Sequence, residues 1–161
     1  MHVDPDFVEL LRTLTRHRVE FIVCGGIAAV LHGAPLPTVD LDVLFETSDE
    51  NCGRLLAALG ELEAVYVDVA GRTIVPNRAK VREMRMHLLN TNRGRLDVMR
   101  EIGNGLDYEA LVGRVETFDL EGTSVRVLEL AAIIESKEAA GRPKDLAALP
   151  YLRALLGERS G

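Results

Sequence analysis

FIVCGGIAAVLHGAPLPTVDLDVLF, residues 21–45, is the stretch whose reading decides the fold. A short apolar run of strand type, Val19 to Cys24, ends at Gly25-Gly26. Ile27 to His32 then reads as a short helix closed by Gly33. Pro35 and Pro37 hold the following segment extended. Val39 to Phe45 alternates apolar and acidic residues, the pattern of a half-buried strand. Val39, Leu41 and Val43 share one face, and Asp40, Asp42 and Leu44 share the other. A strand this apolar is not a wet edge, so Asp40 and Asp42 lie near the core and need partners.

Outward from that stretch, the chain alternates helical and strand patterns. Asp4 is placed to cap a helix starting at Pro5, with Phe7, Leu10, Leu11 and Leu14 on one stripe. Ser48 is placed to cap a helix to about Leu62, with Leu55, Leu56, Leu59 and Leu62 inward. Ala64 to Ala70 suggests a strand, and Gly71 to Val81 carries no clear pattern. Met84 to Asn90 and Arg95 to Arg100 read as strands joined through Asn92-Arg93-Gly94. A short helix over Asp107 to Val112 precedes a second hairpin, Val115 to Leu120 and Ser124 to Leu128. Leu130, Ile133, Ile134 and Lys137 lie on one helical stripe, Gly141 ends that helix, and Pro143 starts another that Pro150 must break or kink. No repeat, linker or low-complexity segment interrupts this order. The expected fold class is α+β: a mixed sheet flanked by helices, with C-terminal helices, over residues 1–161 as a single domain.

The bulk composition agrees. A chain of 161 residues, 47% hydrophobic and 27% charged, is long enough for one domain with a real core. No apolar run is long enough to cross a membrane, and the N-terminus has no signal-peptide layout. Cys24 and Cys52 form no disulfide framework, and Cys24 reads as a small core residue; the expectation is a reduced, cytoplasmic protein. The net charge of −6 argues against non-specific nucleic-acid binding over the whole surface. The charge is uneven, however. From Arg72 to Arg100 eight basic residues face two acids, Glu83 and Asp97, leaving that stretch at +6 and the remainder at −12. Such a stretch can meet a triphosphate or an RNA backbone, or be a solvated arginine-rich loop.

Asp40, Asp42 and Asp97 are the candidate chemistry-bearing residues. Two carboxylates at i and i+2 on a strand face the same way, and Asp97 sits in a similar run, Leu96-Asp97-Val98. Three converging carboxylates can hold one or two Mg2+ ions, and those ions can hold a triphosphate. Alternatively the acids cap helices or pair with arginines. The diglycine weighs toward the metal, because a strand-turn-helix with two glycines brings backbone N–H groups close to a phosphate. Lys137 either reaches a triphosphate or a catalytic carboxylate, or ends its stripe in water. Arg142 or Lys144 can touch substrate phosphates, while Asp145 suits the start of a helix dipole. The four histidines show no metal-ligand spacing, His32 either lines the cleft or, as its place in the short helix favours, packs, and there is no nucleophile elbow or Walker A loop. Without Trp, no aromatic platform for single strands is evident.

Cys24-Gly25-Gly26 and Asp40-Leu41-Asp42, with Asp97 as third acid, resemble the signature of the DNA polymerase β-like nucleotidyltransferase superfamily. The tail also resembles small bacterial AbiEii-type members: Lys137 on an apolar helix, then Gly141-Arg142-Pro143-Lys144-Asp145-Leu146, together with Gly94-Arg95-Leu96-Asp97-Val98. The resemblance spans about Phe21 to Leu156. It implies an enzyme moving a nucleoside monophosphate from an NTP to a hydroxyl, on an RNA 3′ end (a tRNA, for example) or a protein side chain. It implies metal ligation by Asp40, Asp42 and Asp97, with Asp97 helping to deprotonate the hydroxyl, and substrate binding by Gly25, Gly26, Thr38, Lys137, Arg142 and Lys144. AbiEii-type relatives act as toxins neutralised by an antitoxin protein. One departure stands out: relatives often carry arginine in Pro-Arg-x-Thr-x-Asp, where this chain has Leu36. That departure favours the alternative of a catalytically silent nucleotide-binding or interaction domain on the same fold, and the retained acids argue against it. The remaining alternative is a structural domain in which the acids only cap and pair.

Overall fold

A computed structural model describes residues 5–37 and 40–160. The cap read at Asp4 and the residues Thr38 and Val39 lie outside the described residues.

The elements run α1 (Pro5–Arg16), β1 (Phe21–Cys24), α2 (Gly25–Leu31), β2 (Asp40–Phe45), α3 (Asp49–Glu61), β3 (Val65–Tyr66), α4 (Arg78–Glu83), β4 (Met86–Thr91), β5 (Gly94–Met99), β6 (Glu101–Ile102), β7 (Leu106–Asp107), α5 (Tyr108–Leu111), β8 (Val115–Leu120), β9 (Thr123–Leu128), α6 (Leu130–Ala140) and α7 (Pro143–Ser160). Seven strands form one mixed sheet in the order β3-β4-β5-β2-β1-β9-β8, and β6 and β7 pair separately. β1 lies antiparallel to β2 and parallel to β9, and β2 lies parallel to β5. The expected α+β class with a mixed sheet and C-terminal helices holds.

Local chemistry accounts for most boundaries. The stripe of Phe7, Leu10, Leu11 and Leu14 is buried, as its spacing requires. Ser48 accepts a hydrogen bond from the Asn51 N–H at 3.2 Å, which fixes the start of α3. Gly141 ends α6 with φ 63°, the left-handed conformation that glycine adopts without a Cβ clash. β1 is buried at every position, and Leu41, Val43, Leu44 and Phe45 of β2 are buried beside it. The carboxylate-bearing strand is therefore central and rigid, not an edge.

Several expectations need correction. The strand read over Ala64 to Ala70 shrinks to Val65–Tyr66, because Asp68 turns the chain: it takes the Arg72 guanidinium at 3.0 Å and the Gly71 N–H at 3.1 Å. The unreadable segment before Val81 holds α4, capped by the Asn77 side chain. α2 begins at Gly25, not Ile27. α7 continues through Pro150. Pro150 deletes a helical hydrogen bond, but it and Leu146, whose carbonyl loses its donor, are both exposed, so solvent can take that bond.

Candidate active site

A cavity of about 650 Å3 opens over the ends of β1, β2 and β5 and under α6 and α7. It collects Gly25, Asp40, Asp42, Asp97, Lys137, Arg142 and Lys144 from positions up to 119 residues apart in the chain.

Strand register builds the acidic wall. In the parallel pairing of β2 and β5, Asp42 stands beside Asp97 and Asp40 beside Arg95. Period-two alternation then puts Asp40, Asp42, Arg95 and Asp97 on one sheet face, while Leu41, Val43, Leu96 and Val98 fill the core on the other. Arg95 donates to the Asp97 Oδ1 at 2.8 Å. The Asp42 carboxyl is pushed up to about 7. Burial is the largest cause, followed by the charge of Asp97, a hydrogen bond with Asp97 and the charge of Asp40; Lys144 pulls the other way. Gly25 has φ 66°, and a Cβ there would overlap the Asp42 carboxylate. This glycine thus makes room for the carboxylate as well as lining the cavity. Cys24, beside them, is buried, and burial with the charge of Asp42 drives its thiol well above its ordinary value, so it stays an inert packing group.

Helices build the opposite wall. Leu130, Ile133 and Ile134 bury one stripe of α6 and leave Lys137 on the cavity side. Asp145, at the start of α7, is 1% exposed. Its carboxylate accepts from the Arg142 Nε at 2.6 Å and Nη2 at 3.2 Å, and lies 3.6 Å from the Lys137 Nζ. Burial raises the Asp145 carboxyl, but the hydrogen bonds and charge of Arg142, with the charge of Lys137, outweigh it and leave it below its ordinary value. Lys144 is exposed at the cavity mouth.

Not every expected residue converges. Gly26 does not line the cavity, and Thr38 lies outside the described residues. Among the described residues no group of three or more His, Cys, Asp or Glu side chains is close enough to hold a metal ion. The three aspartates share a face, yet Asp97 is drawn toward Arg95, so the expected triad is not closed into a cage. The Arg72–Arg100 stretch is largely paired: Arg72 with Asp68, Arg82 with Asp49, Arg85 with Glu101, and Arg93 with Asp6. His32 is a buried packing residue whose Nε2–H donates to the Leu128 carbonyl at 2.8 Å. Leu36 packs against the core. Two functional neighbours escaped the sequence reading. Arg95 was legible, since it sits at i−2 from Asp97 on one strand; the burial of Asp145 depends on α6 packing against α7 and left no sequence signal.

The family model for aminoglycoside-2''-adenylyltransferases matches residues 6–145. No curated protein sequence matches the chain. Among solved structures, a protein from Thermotoga maritima assigned as a nucleotidyltransferase superposes with a TM-score of 0.60 at 16% identity, covering 98% of this chain and 96% of that one. The antibiotic-resistance factor ANT(2'')-Ia in solution gives a TM-score of 0.61 at 19% identity, covering 98% and 88%. The same factor crystallised with adenylyl-2''-tobramycin gives 0.60 at 18%, covering 96% and 89%. At these identities the structures show a shared nucleotidyltransferase fold. The extent of the family-model match shows more: the chain belongs to the aminoglycoside-2''-adenylyltransferase family and is an enzyme of the nucleotidyltransferase class.

Proposed function

We propose that this member of the family transfers a nucleoside monophosphate from an NTP, ATP being the first to test, to a hydroxyl of a small acceptor. The observation that carries the reading is the register that sets Asp42 beside Asp97, with Asp40 on the same face, where their proximity and burial push the Asp42 carboxyl up to about 7. Half-buried carboxylates that repel one another are a ready site for a cation. Their hard oxygen donors suit Mg2+, with Asp42 and Asp97 as the adjacent pair and Asp40 on the same face. When bound, one or two Mg2+ ions supply charge neutralisation for the attacking and leaving oxygens.

The chain's own residues do the rest. Lys144 and Arg142 face the cavity and attract the triphosphate, and Lys137 adds its charge from below. Gly25 leaves the backbone open next to Asp42. Asp97 takes the proton of the acceptor hydroxyl, whose oxygen bonds to the α-phosphorus as the α–β bridging bond breaks and pyrophosphate leaves. Arg95 orients Asp97 for that transfer.

A cavity of about 650 Å3 is of small-molecule size, which supports a small acceptor. An RNA 3′ end or a protein side chain, in a toxin of the AbiEii type neutralised by an antitoxin, is the alternative acceptor class; the exposed guanidinium of Arg85 at the mouth favours it. Calorimetric titration with each NTP, with and without Mg2+, tests the shared premise. Mg2+-dependent binding that Asp40→Asn/Asp42→Asn abolishes is the expected result. Absence of binding at millimolar NTP overturns this assignment of the site.

A further inference from the structure

The face of the sheet that carries the acids runs on past Asp97. Asp97, Met99 and Glu101 fall at i, i+2 and i+4 from β5 into β6, and all three line the cavity. At about 3.3 Å per residue, Glu101 stands up to roughly 13 Å from Asp97. Antiparallel register sets Leu88 beside Asp97 and Met86 beside Met99, and these two β4 residues line the cavity as well. The floor between the two carboxylates is therefore apolar, with a charge at each end.

The carboxylates of the cavity are not held alike. Asp145 is buried beneath Arg142 and Lys137. Asp97 accepts from Arg95 of the same strand at 2.8 Å. Asp40 and Asp42 share the face of Asp97, and the charge of Lys144 bears on Asp42. Glu101 is paired with Arg85, from the link between α4 and β4. That pair is the open one: its guanidinium is 77% exposed and its carboxylate 28%. Solvent competes for such a pair, so it adds little stability and opens at little cost. A ligand cation that takes the carboxylate exchanges one charge-assisted contact for another and returns a guanidinium to water.

We infer that Glu101 is a specificity-determining residue for the acceptor: it receives a cationic group of the acceptor, and Arg85 occupies that place in the free protein. This rests on the nucleotidyl-transfer reading above and names the chemistry of its acceptor. The acceptor is a hydroxyl compound carrying an ammonium group up to about 13 Å from the reacting hydroxyl. The hydroxyl meets Asp97, the ammonium meets Glu101, and the span between them crosses Met86 and Met99. Asp40 and Asp42 also attract a cationic acceptor until Mg2+ neutralises them. Glu101 lies outside the aspartates proposed to hold the metal, so its charge stays available. Arg85 is then a built-in competitor of the acceptor, and its removal strengthens acceptor binding.

The test is calorimetric titration of tobramycin, a hydroxylated polycation, into the full chain with Mg2+ and a non-hydrolysable ATP analogue. The parent is compared with Arg85→Ala, Glu101→Gln and the double variant. Both side chains reach solvent, so urea midpoints close to the parent's are expected. Arg85→Ala is expected to tighten tobramycin about threefold or more, and Glu101→Gln to weaken it about tenfold. In the double variant the gain from removing Arg85 should vanish, because it exists only where Glu101 is there to be freed. Unchanged or weaker tobramycin binding in Arg85→Ala overturns the inference, and that variant alone suffices. So does a gain of the same size in the Glu101→Gln background, which would make Arg85 a source of general repulsion. Weaker nucleotide binding in Arg85→Ala also overturns it, by assigning the guanidinium to the triphosphate. An Arg85 that serves an RNA acceptor gives the opposite sign: total tRNA binds the parent, and Arg85→Ala weakens it. A parent that binds tobramycin but no nucleotide fails the nucleotidyl-transfer reading instead, so the two failures are distinguishable.

Discussion

The two walls of the cavity hold carboxylates in opposite states. On the strand wall, Asp42 has Asp97 and Asp40 for neighbours, and its carboxyl is raised to about 7. On the helical wall, Asp145 has Arg142 and Lys137, and its carboxyl is lowered. Asp42 is half-buried and Asp145 buried, and burial raises both carboxyls; the sign of the neighbouring charge is what sends them in opposite directions. On the helical wall the Asp145 carboxylate already has its cations. On the strand wall Arg95 offsets Asp97 and Lys144 partly offsets Asp42, yet like charge dominates around Asp42, a setting that favours a cation.

The largest expected effect is on turnover. Asp42→Asn should lower nucleotidyl transfer by at least about a hundredfold while the protein stays folded, because the group proposed to hold the cation is lost; a steady-state assay with labelled NTP checks this, and parental activity in Asp42→Asn would rule the site out. On the other wall, Asp145→Ala should act on stability first. It strands two cations around a buried site and is expected to cost about 3 kcal/mol, read as a lower denaturation midpoint in urea. Gly25→Ala combines a left-handed φ with overlap of the Asp42 carboxylate, and a loss of about 2 kcal/mol together with most of the activity is expected from unfolding and rate measurements on one preparation.

The contrast also has a pH signature. Asp42 is raised from 3.8 to about 7, so the folded state binds more protons than the unfolded state in that window. Stability contributed by this group therefore falls as pH rises from about 4 to 7, and the full penalty stands above 7. Asp42→Asn should accordingly stabilise the metal-free protein by roughly 1–2 kcal/mol at pH 8 and have little effect near pH 4. Mg2+ should raise the parent's melting temperature at pH 8 and leave that of Asp42→Asn unmoved. Asp145 runs in reverse: its stabilisation is present above its ordinary value and is lost as pH falls through the lowered one. The smallest effect belongs to the exposed pair Arg72–Asp68, where Arg72→Ala should leave the urea denaturation midpoint nearly unchanged.

The strand wall was legible because strand periodicity is local. Once β2 and β5 are recognised, alternation alone commits Asp40, Asp42 and Asp97 to one face each, and the same rule exposes Arg95 beside Asp97. The helical wall was half legible: the stripe of α6 placed Lys137, and Asp145 read as a residue favouring a helix start. Its burial arises where α6 and α7 fold back on each other, and no spacing within either helix encodes that contact. The basic stretch shows the same limit, since its acids Asp6, Asp49 and Asp68 lie outside it in sequence.

By itself the sequence determined the element types, the α+β class, the diglycine–carboxylate signature and the faces on which the acids stand. Hydrophobic periodicity and backbone sterics act within a few residues and are written in the order of the chain. Tertiary structure alone decided that Asp42 stands beside Asp97, that Gly25 vacates space for a carboxylate, that Asp145 is sealed under two cations, and that Met86 and Leu88 extend the floor of the cavity. Each of these depends on strand order or helix packing between distant segments, and electrostatic state follows from which charges packing brings within a few ångströms.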